Sequence, residues 1–540
     1  MKPIFQWMRY RKIRFLLVIL TCLTAPLSAA TKNGFITNIS TPMAFDVGTL
    51  HVVMNAQTKC ETGMLEYDIE TKQAVHSVIL AWEDFILQQR PTSTSIISKP
   101  CDALSLNVGS RVSLMGDIQP GSEIFASTHV VLYTVQNRKI ITLVQNKKEL
   151  KWAGLLEENP QVHQTAQGWI GKMWLDGYPM SVTPLTRFLA APADTRIVYD
   201  FFGWSFYNSH PQIRAESRAT SSIPVFSRNL FQPNTWVFYH AAQAADGSIN
   251  ATQLRLWPNQ VNIKEKKYWK QFAAKIQPPS YSSHSSGSIK FKHLRAIQIL
   301  PDQAVQNWVS KLGMELIPPY QKSLPETDAS KIHFSFYVVQ ATASTLHNEA
   351  IMVGGLRALK NPNFQDVVVA MPSGLILIPN STLSRIHNKA QLAAILSYAI
   401  TTVLQKHAYF VSISLRNTGN ADWGAYAQGS FAIFRNEQKL RIGIRQMYLA
   451  GYDIREAPFA WAVAQGKPVN NPVIDSKHPD KEIPWYAAYA FNYISHYYKG
   501  VDYSKLKRGE REYQQFLQEL YKADPSLQHP KVATTPASKK

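Results

Sequence analysis

The chain has 540 residues, three cysteines and a formal net charge of +20 at pH 7. This length predicts roughly two to four domains of typical size and excludes a single small domain. The positive charge favours an anionic component of the surroundings, such as lipid head groups, peptidoglycan or acidic proteins. The basic residues are scattered along the sequence, so a solvated basic surface is the alternative interpretation.

Residues 1–30 have the pattern of a secretory signal peptide. A basic cluster in residues 9–14 precedes an apolar run from Phe15 to Leu23, and small residues at 28–30 fit a signal-peptidase site. Because the apolar run is short for a membrane span, we expect a periplasmic or secreted protein, with an uncleaved inner-membrane anchor as the alternative. Cleavage leaves 52 basic and 37 acidic residues, a net charge of +15. An exported chain rarely meets nucleic acid, so nucleic acid is not expected as a partner.

Two cysteines, Cys60 and Cys101, remain once Cys22 is removed with the signal. Both lie in β-patterned regions, and an oxidising compartment allows them to pair. We therefore predict one disulfide inside the first domain, with two separate buried thiols as the alternative. No nearby histidine or second cysteine pair forms a metal or redox motif.

Residues 31–148 and 149–262 are each predicted to form a β-rich domain. Short alternating or β-branched runs with turn residues between them are typical of antiparallel strands, as in residues 34–39, 43–47, 50–54, 110–116 and 129–135. The second segment repeats the plan of the first, since residues 171–183 are similar to residues 45–53. Both segments resemble small β-barrel modules of the OB type, which implies strand faces that bind polymers or other proteins. Trp236 and Tyr239 would suit such a face, but they fit a core better.

Residues 263–300 are expected to be a linker, because residues 277–288 are rich in Pro and Ser. Residues 301–523 are expected to be mainly helical: Asp302 is a candidate N-cap for a helix that ends at Gly313. Residues 524–540 are polar and are expected to fray. The predicted fold class is α+β and multidomain, with two β-rich, barrel-like modules followed by a mainly helical domain.

Four motifs follow one another in the last domain. They are Val367-Val-Val-Ala-Met-Pro-Ser-Gly374, an apolar helix over residues 388–407, Glu437 with Ala450-Gly-Tyr-Asp453, and Ser476-Lys-His-Pro479. Together they resemble the M48 family of zinc metallopeptidases over residues 301–516. The resemblance implies an M48-like fold for residues 301–523, with an edge strand placed just before the zinc-binding helix.

The M48 helix carries His-Glu-x-x-His, in which two imidazoles hold zinc and the Glu activates water. The matching positions here start with Tyr398-Ala399 and end with Thr402, so both ligands and the general base are replaced. By the resemblance, Glu437 matches the third zinc ligand and His478 an active-site histidine, whereas Arg441 replaces the supporting Asp. We therefore predict a pseudopeptidase with no catalytic residues, no cofactor and no bound zinc. Its vestigial site consists of Tyr398, Ala399, Thr402, Glu437 and His478.

The leading functional hypothesis is that this protein binds an envelope protein or an extended peptide without cutting it. The predicted edge strand, Val367, Val368, Val369, Ala370 and Met371, can pair with an extended chain through backbone hydrogen bonds. The M48 resemblance implies a role in envelope protein assembly or quality control. One alternative is a hydrolase or metallopeptidase with a site rebuilt around Tyr398, Glu437 and His478. Another is a structural protein whose β modules bind glycan or lipid. Glu437 is also expected to form an ion pair with Lys439 or Arg441, and the sequence predicts no oligomeric state.

Overall fold

The computed structural model describes residues 30–66, 93–119, 121–135, 149–190, 231–243, 248–259, 261, 263–291, 296–340, 367–409, 436–466 and 485–528. The predicted signal peptide, except for its last residue, and His478 lie outside these residues. The described part contains three β-sheets and a set of helices, which confirms the α+β class. None of the described helices is both long enough and apolar enough to cross a membrane.

Eight strands from the first β-rich segment form the first sheet. They run β1 Ala30–Phe35, β2 Asn38–Thr41, β3 Ala44–Val47, β4 Leu50–Val53, β5 Lys59–Glu66, β6 Ser93–Ser98, β7 Arg111–Ile118 and β8 Ile124–Val135. The strand order is β1-β7-β8-β4-β3-β2, with β5 also paired to β8 and β6 paired to β5. Alternate side chains such as Phe45, Val112 and Val130 point into a core of their own. Cys60 and Cys101 form the predicted disulfide beside this core.

The second sheet has seven strands and repeats the strand order of the first. They run β9 Glu149–Leu156, β10 Gln161–Thr165, β11 Gly168–Leu175, β12 Tyr178–Val182, β13 Arg187–Ala190, β14 Thr235–Gln243 and β15 Ile249–Pro258. Read from β9, their order is β9-β14-β15-β12-β11-β10, which matches the order β1-β7-β8-β4-β3-β2 of the first sheet strand for strand. In addition, β13 pairs with β15 as β5 pairs with β8. Each sheet therefore contains a hairpin whose second strand runs parallel to the last long strand, β4 beside β8 and β12 beside β15. This is the internal repeat that the sequence predicts. Trp236 and Tyr239 are buried, as expected of core residues.

Residues 263–300 do not form the predicted linker. They contain a helix, α1 Ile263–Gln271, followed by strands β16 Ala274–Gln277, β17 Gly287–Phe291 and β18 Ile297–Ile299. The Pro- and Ser-rich stretch is the turn between β16 and β17, closed by a bridge between Ser280 and Ser285. The linker prediction is wrong because turn residues also join strands that hydrogen-bond to each other.

The third sheet has the order β16-β17-β18-β19-β21-β20 and packs against helices. Its remaining strands are β19 Ser335–Val339, β20 Val369–Ala370 and β21 Leu375–Pro379. The helices are α2 Gln303–Leu316, α3 Pro319–Ser323, α4 Asn380–Leu383, α5 Lys389–Leu404, α6 (residues 436–449), α7 Ala457–Ala464, α8 Trp485–Tyr497 and α9 Glu510–Ala523. A short 3-10 helix, Pro525–Gln528, follows α9.

Asp302 caps α2 as predicted, since its carboxylate accepts a hydrogen bond from the Val305 N–H at 2.9 Å. The helix does not end at Gly313, however, but continues to Leu316. A Cβ at Gly313 would lie 2.5 Å from the ring of Phe336. This glycine therefore serves close helix–sheet packing and does not end the helix.

The second sheet and the helical part share one continuous hydrophobic core, whereas most of the first sheet packs around a separate core. The predicted domain boundary at residue 262 therefore does not separate two hydrophobic cores. The first module touches the helical part through contacts such as the stacking of Phe35 on Phe491, with ring centroids 4.9 Å apart.

Candidate functional site

Helix α5 carries the positions that match the zinc motif. Asn388 caps it, and the described residues from Ala390 to Thr401 are all buried. Tyr398 donates its hydroxyl hydrogen to Asn436 Oδ1 at 3.1 Å, and its ring lies edge-on to Trp461 at 4.6 Å. These partners make Tyr398 a packing residue at the position where the M48 motif has its first histidine.

Ala399 and Thr402 occupy the other two key positions of the motif. The side chain of Ala399 is only 1% exposed and carries no polar atom. Thr402 donates its hydroxyl to the Tyr398 carbonyl at 2.9 Å, one helical turn back along α5. The helix thus satisfies its own polar groups where the family motif would present ligands.

Glu437 lies on α6 next to a buried arginine. Arg441 Nη1 is 3.7 Å from Glu437 Oε2, so the predicted ion pair with Arg441 is present. Arg441 is nevertheless bound more closely by Asp176, which the sequence analysis did not single out. Arg441 Nη2 donates to Asp176 Oδ2 at 2.7 Å and Nε donates to the Asp176 carbonyl at 2.9 Å.

The Asp176–Arg441 pair is almost wholly out of solvent, with side-chain exposures of 0% and 5%. Tyr239 donates a further hydrogen bond to Asp176 Oδ2 at 2.6 Å, and Arg441 Nη1 donates to the Tyr489 hydroxyl at 2.7 Å. Burial raises the pKa of Asp176, while the guanidinium opposes that shift. The pair therefore fixes the second sheet to α6.

The hairpin turn between β11 and β12 brings Asp176 to α6. Asp176 and Gly177 have φ values of 57° and 73°, the left-handed values of a two-residue type I′ turn. A Cβ on Gly177 would lie 2.5 Å from the Arg441 Cβ, and Tyr493 donates its hydroxyl to the Gly177 carbonyl. The Asp-Gly pair is the sequence signal that could have revealed this turn, but nothing local reveals its partner.

A second polar cluster joins the end of β9 to α6. Arg445 Nε and Nη2 bind the two carboxylate oxygens of Glu158 at 2.8 and 2.6 Å, and its guanidinium lies 3.9 Å from the Trp174 ring centroid. Neighbouring Glu157 accepts hydrogen bonds from Gln405 Nε2 at 3.1 Å and Gln446 Nε2 at 3.2 Å. Burial raises the pKa of Glu157 to about 7, although both amides oppose the shift.

The edge strand is shorter than the predicted Val367–Met371, because only Val369 and Ala370 pair with β21. Val367 is buried, and its carbonyl accepts a hydrogen bond from Thr382 Oγ1 at 2.9 Å. Met371 donates its N–H to the Leu375 carbonyl at 2.8 Å and so belongs to the following turn. β20 is the end strand of the third sheet and lies beside α5.

Metal-ligating side chains are not clustered in the part of the chain that the structure describes: no group of three or more His, Cys, Asp or Glu residues could hold an ion there. His407, just beyond α5, is buried, and its Nε2 lies 2.5 Å from Gln438 Oε1. His478 lies outside the described residues, so its distance from Tyr398 and Glu437 is not defined.

No protein-family model matches the sequence, and no curated protein matches it. The relation to M48 peptidases remains a hypothesis based on the four motifs and their order.

We expect substitutions at Asp176 and Arg441 to have strongly non-additive effects on the free energy of unfolding. Asp176→Asn keeps the side-chain shape and tolerates the positive φ, yet it removes the closest counter-ion of Arg441 and leaves only Glu437, at 3.7 Å. We therefore expect a loss of about 3 kcal/mol in the free energy of unfolding. Adding Arg441→Met should recover part of that loss, because the poorly compensated guanidinium is removed while Glu437 loses its ion pair. Urea unfolding followed by tryptophan fluorescence compares the single variant and the double variant with the wild type. A wild-type midpoint for Asp176→Asn would show that the charge pair contributes nothing.

The raised pKa of Glu157 should make the stability of the fold depend on pH. Its folded-state pKa of about 7 exceeds the ordinary value of 4.5. The folded protein therefore binds the proton more tightly, and this stabilisation is present at low pH and lost as the pH rises from 4.5 through 7. We expect Glu157→Gln to remove up to about 3 kcal/mol of pH dependence in this window. Urea midpoints at pH 5 and pH 8 test this, and equal pH dependence in variant and wild type contradicts it.

Proposed function

We propose that this protein is an exported, catalytically inactive M48-like protein that binds an extended segment of an envelope protein along β20. The supporting observation is an end strand lying beside α5, a helix whose motif positions hold Tyr398, Ala399 and Thr402. Such a place accepts a chain by backbone pairing, which requires neither a metal nor a general base.

The backbone geometry of β20 fits this role. Met371 donates its N–H toward β21, and N–H directions alternate along a strand, so the Ala370 N–H points away from β21. No described strand pairs with that outer edge. Val369 and Ala370 are half-buried, so an added strand would cover apolar surface as well as form hydrogen bonds.

The rebuilt-hydrolase alternative is less well supported. Glu437 lies next to the Arg441 guanidinium, whose positive charge opposes a metal cation at the same carboxylate. The Tyr398 hydroxyl is engaged by Asn436 and is buried among side chains. Both groups are used in ways that stabilise the fold, whereas acid–base catalysis needs them to face a substrate.

In this proposal the two sheets of residues 30–258 are OB-like modules that precede an M48-like part in residues 301–523. The shared strand order supports two copies of one module. Glycan or lipid binding by the β modules remains the third hypothesis, and no feature of their described surfaces favours it over peptide binding.

Proline at Ala370 tests the proposed edge. Ala370→Pro removes the outward N–H and leaves the Val369 and Met371 groups that face β21, so we expect at least roughly fivefold weaker binding of an extended peptide. Fluorescence anisotropy with a fluorescein-labelled peptide of alternating Val and Thr measures the affinity. Ala370→Val is the matched control, since it keeps the N–H and suits a strand. Equal peptide affinity for the two variants, with equal melting temperatures, would contradict the proposal.

Metal content separates the pseudopeptidase from the rebuilt enzyme. We expect far less than one zinc per chain when the mature protein is purified without chelator or histidine tag and analysed by elemental mass spectrometry. The expectation follows from the loss of both motif ligands and from the charge of Arg441 beside Glu437. Zinc near one per chain, lost in Glu437→Ala and His478→Ala, would establish the rebuilt site instead.

A further inference from the structure

Basic residues are concentrated in residues 263–299, which contain eight Lys or Arg residues and one acidic residue, Glu265. This excess is almost half of the +15 expected for the mature chain. The description of the basic residues as scattered along the sequence therefore does not hold in this stretch. The stretch is not a linker but forms α1 and three strands of the third sheet.

Glu265, the only acidic residue of this stretch, does not offset the exposed lysines. Its side chain is buried and lies 2.9 Å from Lys406 Nζ, beyond the end of α5. Tyr268 also points inward and donates its hydroxyl to the Ala408 carbonyl at 3.1 Å. These two contacts fix the orientation of α1, which leaves Lys266, Lys267 and Lys270 exposed on its outer side.

The neighbouring hairpin adds two more lysines. Lys275 of β16 lies directly opposite Lys290 of β17, and both are exposed. Like charges opposite each other destabilise a sheet, and no described carboxylate forms an ion pair with either one. Ile289 and Phe291 face the core on the other side of the same strand. The polar face of the hairpin therefore carries unneutralised positive charge.

One exposed apolar side chain lies on the same helix as the first three lysines. Ile263, at the start of α1, is 86% exposed, whereas Trp269 is half-buried and packs against the core. An exposed isoleucine beside lysines is typical of surfaces that lie against lipid head groups.

We propose that the lysine surface, defined as Lys266, Lys267, Lys270, Lys275 and Lys290, binds an anionic phospholipid bilayer. All five side chains are lysines, whose flexible point charges suit laterally mobile head groups better than a fixed bidentate partner. Phe272 and Ala273 form the turn that ends α1, so the strand that carries Lys275 begins directly after the helix. This inference does not depend on peptide binding at β20.

Vesicle co-sedimentation of the mature full-length protein tests the proposal. We expect binding to vesicles of 70% phosphatidylcholine and 30% phosphatidylglycerol, loss of binding in high salt, and little binding to pure phosphatidylcholine. Replacing Lys266, Lys267 and Lys270 by Gln should weaken binding by roughly a hundredfold, since each lysine near such a surface contributes about fivefold. Lys275→Gln with Lys290→Gln should weaken it by roughly twenty-fivefold.

The matched control replaces three exposed lysines elsewhere, Lys172, Lys311 and Lys507, by Gln and thus makes the same change in net charge. Its binding should fall by less than about threefold, because these positions lie outside the lysine surface. Equal weakening by the two triple variants would show that net charge alone acts. Binding of poly-glutamate without vesicle binding would identify an acidic protein as the partner. Either result overturns the proposal.

Discussion

The buried contact between Arg441 and Asp176 constrains the rest of the structure. It joins α6 to a hairpin 265 residues earlier in the chain. Asp176 holds the buried guanidinium more closely than Glu437 does, so separating the second sheet from α6 would leave the Arg441 charge poorly compensated. Gly177 makes the close approach possible, and the shared core extends the contact. The second module is therefore a structural part of the helical domain.

The segments that carry the M48-like motifs are held together by ion pairing and packing. Arg441 supplies a fixed positive charge beside Glu437, and Tyr398 supplies a ring that packs on Trp461. In the proposed M48 relation, these contacts take the place of the metal ion that cross-links the helices of the family. In the proposed function, the β20 edge beside α5 contributes only backbone groups.

Sequence reasoning succeeded where the determining forces are local. The cap at Asp302 and the repeated hairpin plan could be predicted from nearby residues, and the disulfide followed from the cysteine count. It failed where distant segments decide the outcome. The Pro- and Ser-rich stretch near Ser280 has the composition of a flexible connector, yet its flanking strands are held by a sheet completed about a hundred residues later. No residue near Arg441 in the sequence indicates that Asp176 is its partner.

The duplicated sheets have unequal freedom to change over evolution. In the first copy the hairpin turn corresponding to Asp176–Gly177 is Gly48–Thr49, which is partly exposed, and most of that copy has a core of its own. Most changes in the first copy leave the remaining core intact, because that copy contributes to it mainly through Phe35 and Val108. The second copy carries a counter-ion on which α6 depends, so a change in its turn must be matched by a change at residue 441. Related chains should therefore covary at the second turn and at residue 441, whereas the first turn requires only a residue that tolerates the positive φ of Gly48.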